Sequence, residues 1–117
     1  MPAPTIYHNP QCSKSRQALE LLRGRGIEPR IIEYLKTPPT ETELAEIVGR
    51  LGMRPEALVR KNEDIYKANY AGRSLSDEEW IAALARDPVL MERPIVVAGT
   101  RAAIGRPPEQ VLALLDD

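Results

Sequence analysis

Strand-forming residues in this chain sit only toward its two ends. Thr5-Ile6-Tyr7-His8, bounded by prolines at 4 and 10, is β-branched and aromatic. Pro29 to Tyr34 (PRIIEY) has the same character. Pro94-Ile95-Val96-Val97-Ala98 is the clearest strand in the chain. Thr100 to Ile104 follows it after one glycine, so a tight hairpin is expected. Residues 40 to 86 contain no such segment. Any sheet must therefore be assembled from segments that a long helical stretch separates.

Helix signals fill the intervals. From Asn9-Pro10-Gln11, a turn signal, the period changes at Ser13, and Ala18, Leu19, Leu21 and Leu22 form one apolar face. Arg23 to Gly26 ends that helix with cations and glycines. The first two strands with this helix make a β-α-β unit, which favours parallel pairing and a right-handed crossover. Thr40 with Glu43 is a capping box, followed by Leu44, Ile47, Val48 and Leu51 and closed by Gly52. Pro55 to Val59 reads as a short helical turn and Asn62 to Asn69 as a small helix. Ser76 with Glu79 is a second capping box, ahead of Trp80, Ile81 and Leu84. Pro107-Pro108 opens a last helix, Glu109 to Leu115. The order β-α-β, helices, β-β-α is the thioredoxin order with a helical insertion at about residues 40–90. It predicts an α/β fold with a mixed four-stranded sheet, as a single domain over residues 1–117.

Composition narrows the function classes. Aromatics are only 4% of the 117 residues, with no phenylalanine, so aliphatic side chains must fill the core. A net charge of −1 argues against a broadly basic nucleic-acid surface. The single cysteine, Cys12, cannot form an internal disulfide. Met1-Pro2-Ala3-Pro4 has no signal-peptide character, and no apolar run approaches the roughly 20 residues that span a bilayer. A cytoplasmic protein with neither membrane nor nucleic-acid partners is the expectation.

Cys12 falls where the first strand passes into the first helix. In α/β sheets ligands bind beyond the carboxyl ends of strands. A helix N-terminus offers unpaired N–H groups and partial positive charge, which favour a thiolate or a bound oxyanion. Ser13 and Ser15 can donate hydrogen bonds there, and Lys14 and Arg16 add charge. The alternative is a buried cysteine acting as a small hydrophobe. His8, the only histidine, is either the base or cationic neighbour of the thiol or a satisfied histidine at a strand end. Cys12-Ser13-Lys14-Ser15 lacks the second thiol of a Cys-x-x-Cys pair, so any redox partner sulfur comes from another molecule.

Three arginines sit at element boundaries: Arg60 after Ala57-Leu58-Val59, Arg93 before Pro94, and Arg106 before Pro107. The guanidinium fork suits tetrahedral oxyanions. Unrelated surface arginines are the competing reading. From base rates alone the Arg93–Pro94 bond is expected trans.

Four segments taken together resemble the ArsC family of small arsenate reductases, in its short YfgD-like branch. They are Tyr7-His8-Asn9-Pro10-x-Cys12-Ser13-Lys14-Ser15-Arg16, Leu58-Val59-Arg60-Lys61 with Glu63-Asp64-x-Tyr66, Leu90 to Val97 (LMERPIVV) and Ile104 to Glu109 (IGRPPE). The resemblance implies a thioredoxin-like fold and a nucleophilic Cys12, tuned by His8 and Ser15. It implies oxyanion binding by Arg60, Arg93 and Arg106, and a cis bond before Pro94. It also implies arsenate as substrate, with phosphate or sulfate as mimics, glutathione as co-substrate and glutaredoxin as partner, and no bound cofactor or metal. Two alternatives stay open: a glutathione-dependent thiol reductase with another substrate, and an Spx-like regulatory binding protein.

Overall fold

The computed structural model describes residues 3–115. Four strands form one sheet in the order β2-β1-β3-β4, where β1 is Thr5–His8, β2 Arg30–Glu33, β3 Ile95–Ala98 and β4 Arg101–Ile104. β1 pairs parallel to β2 and antiparallel to β3, and β3 pairs antiparallel to β4. The sheet is therefore mixed. The central pair is set by Ile6 opposite Val96 and Tyr7 opposite Ile95. Helix α1 (Ser13–Gly24) crosses from β1 to β2. Gly99, at φ +62°, supplies the left-handed residue of the β3–β4 hairpin.

Side-chain alternation puts Ile6 and Val96 on one face of the sheet. They meet Ala18, Leu19 and Leu22 of α1 and Val111 and Leu114 near the C-terminus, all buried in one aliphatic cluster. Burial of each valine, leucine or isoleucine among them contributes about 1.5–3 kcal/mol.

The chain divides into two compact units, one from the segments up to residue 37 and from residue 93, the other Pro38–Glu92. The second is helical. Its α2 (Glu41–Leu51), α3 (Asp64–Asn69) and α4 (Asp77–Arg86) are joined by 3₁₀ turns at Pro55–Leu58 and Pro88–Leu90. Both capping boxes form: the hydroxyls of Thr40 and Ser76 accept the N–H groups of Glu43 and Glu79 at 3.1 Å. Trp80 is buried, as its place on the apolar face of α4 predicts, and Tyr66 and Tyr70 pack their rings against it.

Two details depart from the sequence expectations, and a third decides between two of them. The last helix is a 3₁₀ helix, Pro108–Leu115, and not an α-helix over Glu109 to Leu115. Its buried residues Pro108, Val111 and Leu114 recur every third position, which three residues per turn brings into one line. The Arg93–Pro94 bond is cis, against the base rate and in line with the resemblance. Arg106–Pro107 is cis as well, which nothing in the sequence foretold. Among the described residues no helix is long and apolar enough to cross a membrane.

Candidate active site

The loop between β1 and α1 is held by its own side chains. The Cys12 N–H donates to the Asn9 carbonyl at 3.0 Å, and the Gln11 N–H donates to Asn9 Oδ1 at 3.0 Å. Arg16 reaches back from the first turn of α1 to donate from Nη1 to the Pro10 carbonyl at 2.8 Å. Cys12 thereby becomes the N-cap of α1, in extended backbone geometry with only 8% of its surface exposed. The loop-holding roles of Asn9 and Arg16 emerge only from these bonds. The Asn-Pro turn and the arginine inside the motif were the available signals.

His8 and Ser15 are both buried and share a hydrogen bond of 2.6 Å between Nδ1 and Oγ. The Asn9 N–H also donates to Ser15 Oγ, at 3.1 Å. Burial pushes His8 below the ordinary histidine range, and Arg23 and Arg16 add to this against the opposing pull of Glu33. His8 is thus held towards its neutral form, with Nδ1 partnered by Ser15. Its bond to Ser15 anchors the residue whose backbone N–H acts on the sulfur.

Burial by itself would push the Cys12 thiol up. The Ser15 N–H, the positive charge of Arg93, the Lys14 N–H and a hydrogen bond from the Arg93 side chain together outweigh burial and hold the thiol below its ordinary value. Arg106 also reaches the sulfur, with Nη2 at 3.8 Å, and its Nε donates to the Arg93 carbonyl at 2.8 Å. Residues 94 positions apart in sequence are thus brought onto one thiol. Arg93 adds a further feature: its Nε and Nη1 are buried with no hydrogen-bond partner among the described residues. Buried guanidinium donors without acceptors are expensive, and a tetrahedral oxyanion is the kind of group that satisfies them. Arg60 lies in the helical unit, where Nη1 pairs with Glu63 Oε2 at 2.7 Å and the backbone N–H donates to the Leu90 carbonyl. Among the described residues no three His, Cys, Asp or Glu side chains cluster as metal ligands.

A thiol with a lowered pKa, two guanidinium groups beside it and two buried donors without acceptors thus stand together. The family model of ArsC matches residues 7–114. The chain belongs to the ArsC family. It is 52% identical over 112 residues to the uncharacterized protein YfgD of Escherichia coli (strain K12), covering 94% of each chain. It is 44% identical over 117 residues to an arsenate reductase of Neisseria meningitidis, covering 98% of this chain and all of the relative. Among solved structures, the arsenate reductase from Vibrio cholerae superposes with a TM-score of 0.92 at 48% identity, over 96% of this chain and 97% of that one. The mixed sheet, its helices and these neighbours bear out the expected thioredoxin-like α/β fold.

Proposed function

We propose that the protein reduces arsenate to arsenite through a covalent Cys12 adduct that glutathione and glutaredoxin resolve. The observation that carries this reading is the Cys12 sulfur with its pKa lowered beside Arg93, whose buried Nε and Nη1 lack acceptors. The match to arsenate reductases over nearly the whole chain supports it.

In this mechanism the Arg93 and Arg106 guanidiniums bind arsenate oxygens by charge-assisted hydrogen bonds. The Cys12 thiolate attacks arsenic, an arsenate oxygen takes up protons and leaves as water, and an S–As bond forms. The arginines stabilise the charge on the remaining oxygens as that bond forms. Glutathione thiolate then displaces a second oxygen as water. Glutaredoxin thiolate attacks the glutathione sulfur, so the S–As bond to glutathione breaks and its electron pair passes to arsenic. Arsenic falls from the pentavalent to the trivalent state while the two thiols become a mixed disulfide. Hydrolysis of the Cys12–As bond frees arsenite and returns the thiol. Phosphate and sulfate share the shape and charge of arsenate, so they bind at the same donors without turnover. The resemblance adds Arg60 to the two arginines, a role that an Arg60→Ala variant tests separately.

The lone thiol also supports a second reading. Cys12-x-x-Ser15 has no internal resolving thiol, a property that suits a glutathione-dependent reductase of another substrate equally well. The deciding experiment follows NADPH oxidation with glutathione, glutaredoxin and glutathione reductase. Arsenate and a glutathione mixed disulfide are supplied in parallel, with wild type and Cys12→Ser. Arsenate-dependent oxidation that vanishes in Cys12→Ser supports arsenate reduction. Turnover of the mixed disulfide above the glutaredoxin background, lost in Cys12→Ser and without arsenate turnover, supports the second reading.

A further inference from the structure

Six of the seven glycines have nothing within 4 Å of the position a Cβ would take; Gly105 is the exception. A Cβ there would stand 2.7 Å from Pro94 Cγ, 3.3 Å from Pro94 Cδ and 3.3 Å from Val111 Cγ1. None of these neighbours is the loose end of a flexible side chain. The proline ring is tied into its own backbone, and Val111 is fully buried in the aliphatic core. Gly105 does not adopt a left-handed φ, so its requirement is for space and not for backbone freedom. The two segments are also joined by hydrogen bonds. The Gly105 N–H donates to the Pro94 carbonyl at 2.9 Å, and Arg106 Nε donates to the Arg93 carbonyl at 2.8 Å. The residue before Pro94 is Arg93 and the residue after Gly105 is Arg106, the two guanidiniums that act on Cys12.

We propose that Gly105 is a positioning residue: its missing side chain lets the Pro94 ring lie against the backbone, and that contact sets where Arg93 and Arg106 stand relative to the Cys12 sulfur. A methyl group at 105 has to move the Pro94 ring or its own segment by several tenths of an ångström. Each of those segments carries one of the arginines. The inference rests on the assignment of Cys12 and these arginines to one site, but its test reads the thiol and needs no substrate.

The test is the pH dependence of Cys12 alkylation by iodoacetamide in Gly105→Ala, with thermal melting alongside. Cys12 is the only cysteine, so the reaction reports one sulfur. Gly49→Ala, placed in open space on α2, is the control. The midpoint in Gly105→Ala is expected to rise by about one unit as the cations shift, while Gly49→Ala keeps the wild-type profile. A folded Gly105→Ala with the wild-type midpoint overturns the proposal. If Gly105→Ala alone does not fold, adding Val111→Ala removes one of the contacting groups, and the pair is assayed in the same way. A raised midpoint in the folded pair, beyond that of Val111→Ala alone, supports the proposal. Failure of both to fold makes Gly105 a residue of the fold only and removes it.

Discussion

Helices α2 and α4 begin alike, and α1 begins differently. In α2 and α4 a hydroxyl at the N-cap, Thr40 or Ser76, accepts the N–H three residues on, and Glu43 or Glu79 returns a bond to the cap. Their first turns are acidic, with Glu41 and Glu43 in one and Asp77, Glu78 and Glu79 in the other. In α1 the N-cap is Cys12, the first turn has no acidic residue, and Lys14 and Arg16 stand where carboxylates would suit the dipole. The N–H groups of Lys14 and Ser15 are left to the sulfur. At the third position, where the other helices carry glutamate, α1 carries Ser15, whose hydroxyl turns to His8. The hydrogen-bonded cap of α2 and α4 is thus missing from α1, where the first-turn N–H groups instead help to hold the Cys12 thiol below its ordinary value.

The contrast can be broken at several points. Cys12→Ser puts a hydroxyl where the other helices have one. Turnover should fall to background while the melting temperature stays within a few degrees of wild type. Retained activity in the coupled assay would remove the thiol from the mechanism. Arg93→Ala takes away a guanidinium at the sulfur. Loss of one charge-assisted interaction of about 1.5–3 kcal/mol should lower kcat/KM for arsenate roughly 10- to 100-fold. The Cys12 midpoint should also rise, because the positive charge that opposes desolvation is gone. Ser15→Ala leaves His8 Nδ1 and the Asn9 N–H without their buried partner. It should destabilise the fold by about 1–3 kcal/mol in urea titrations.

Ser76→Ala tests the other side of the comparison. Losing that cap should cost about 1 kcal/mol of stability and leave alkylation of Cys12 unchanged. Lys14→Glu gives α1 the acidic first turn of its counterparts. The helix dipole should then gain about 0.3–1 kcal/mol in stability, while the added negative charge slows alkylation a few-fold. If Lys14→Glu left the thiol unaffected, the unusual first turn of α1 would have no bearing on the sulfur.

Much of this was legible in the sequence because it is local. The capping boxes of α2 and α4, the strands at both ends, the hairpin at Gly99-Thr100 and the place of Cys12 at a strand–helix junction each follow from a few adjacent residues. What was not legible depends on approach between distant segments. The 3.8 Å separation of Arg106 from Cys12 and the contact between Gly105 and Pro94 leave no periodic trace. His8 shows the limit most clearly: its spacing from Cys12 gives no hint of the 2.6 Å bond to Ser15 or of the burial that pushes it below the ordinary histidine range. The 3₁₀ geometry of the last helix was available in the spacing of Pro108, Val111 and Leu114, but Val111, Leu112 and Leu115 fit an α-helical period as well.

The most direct test is an acid–base titration of the thiol itself, following thiolate ultraviolet absorbance against pH in wild type, with Cys12→Ser as the blank. The folded protein should show one transition whose midpoint lies clearly below the roughly 8.5 of a free cysteine, with the thiolate lost as pH falls through that midpoint. A midpoint at or above the free-cysteine value would mean that burial outweighs the helix N–H groups and the arginines, and would contradict the nucleophilic site.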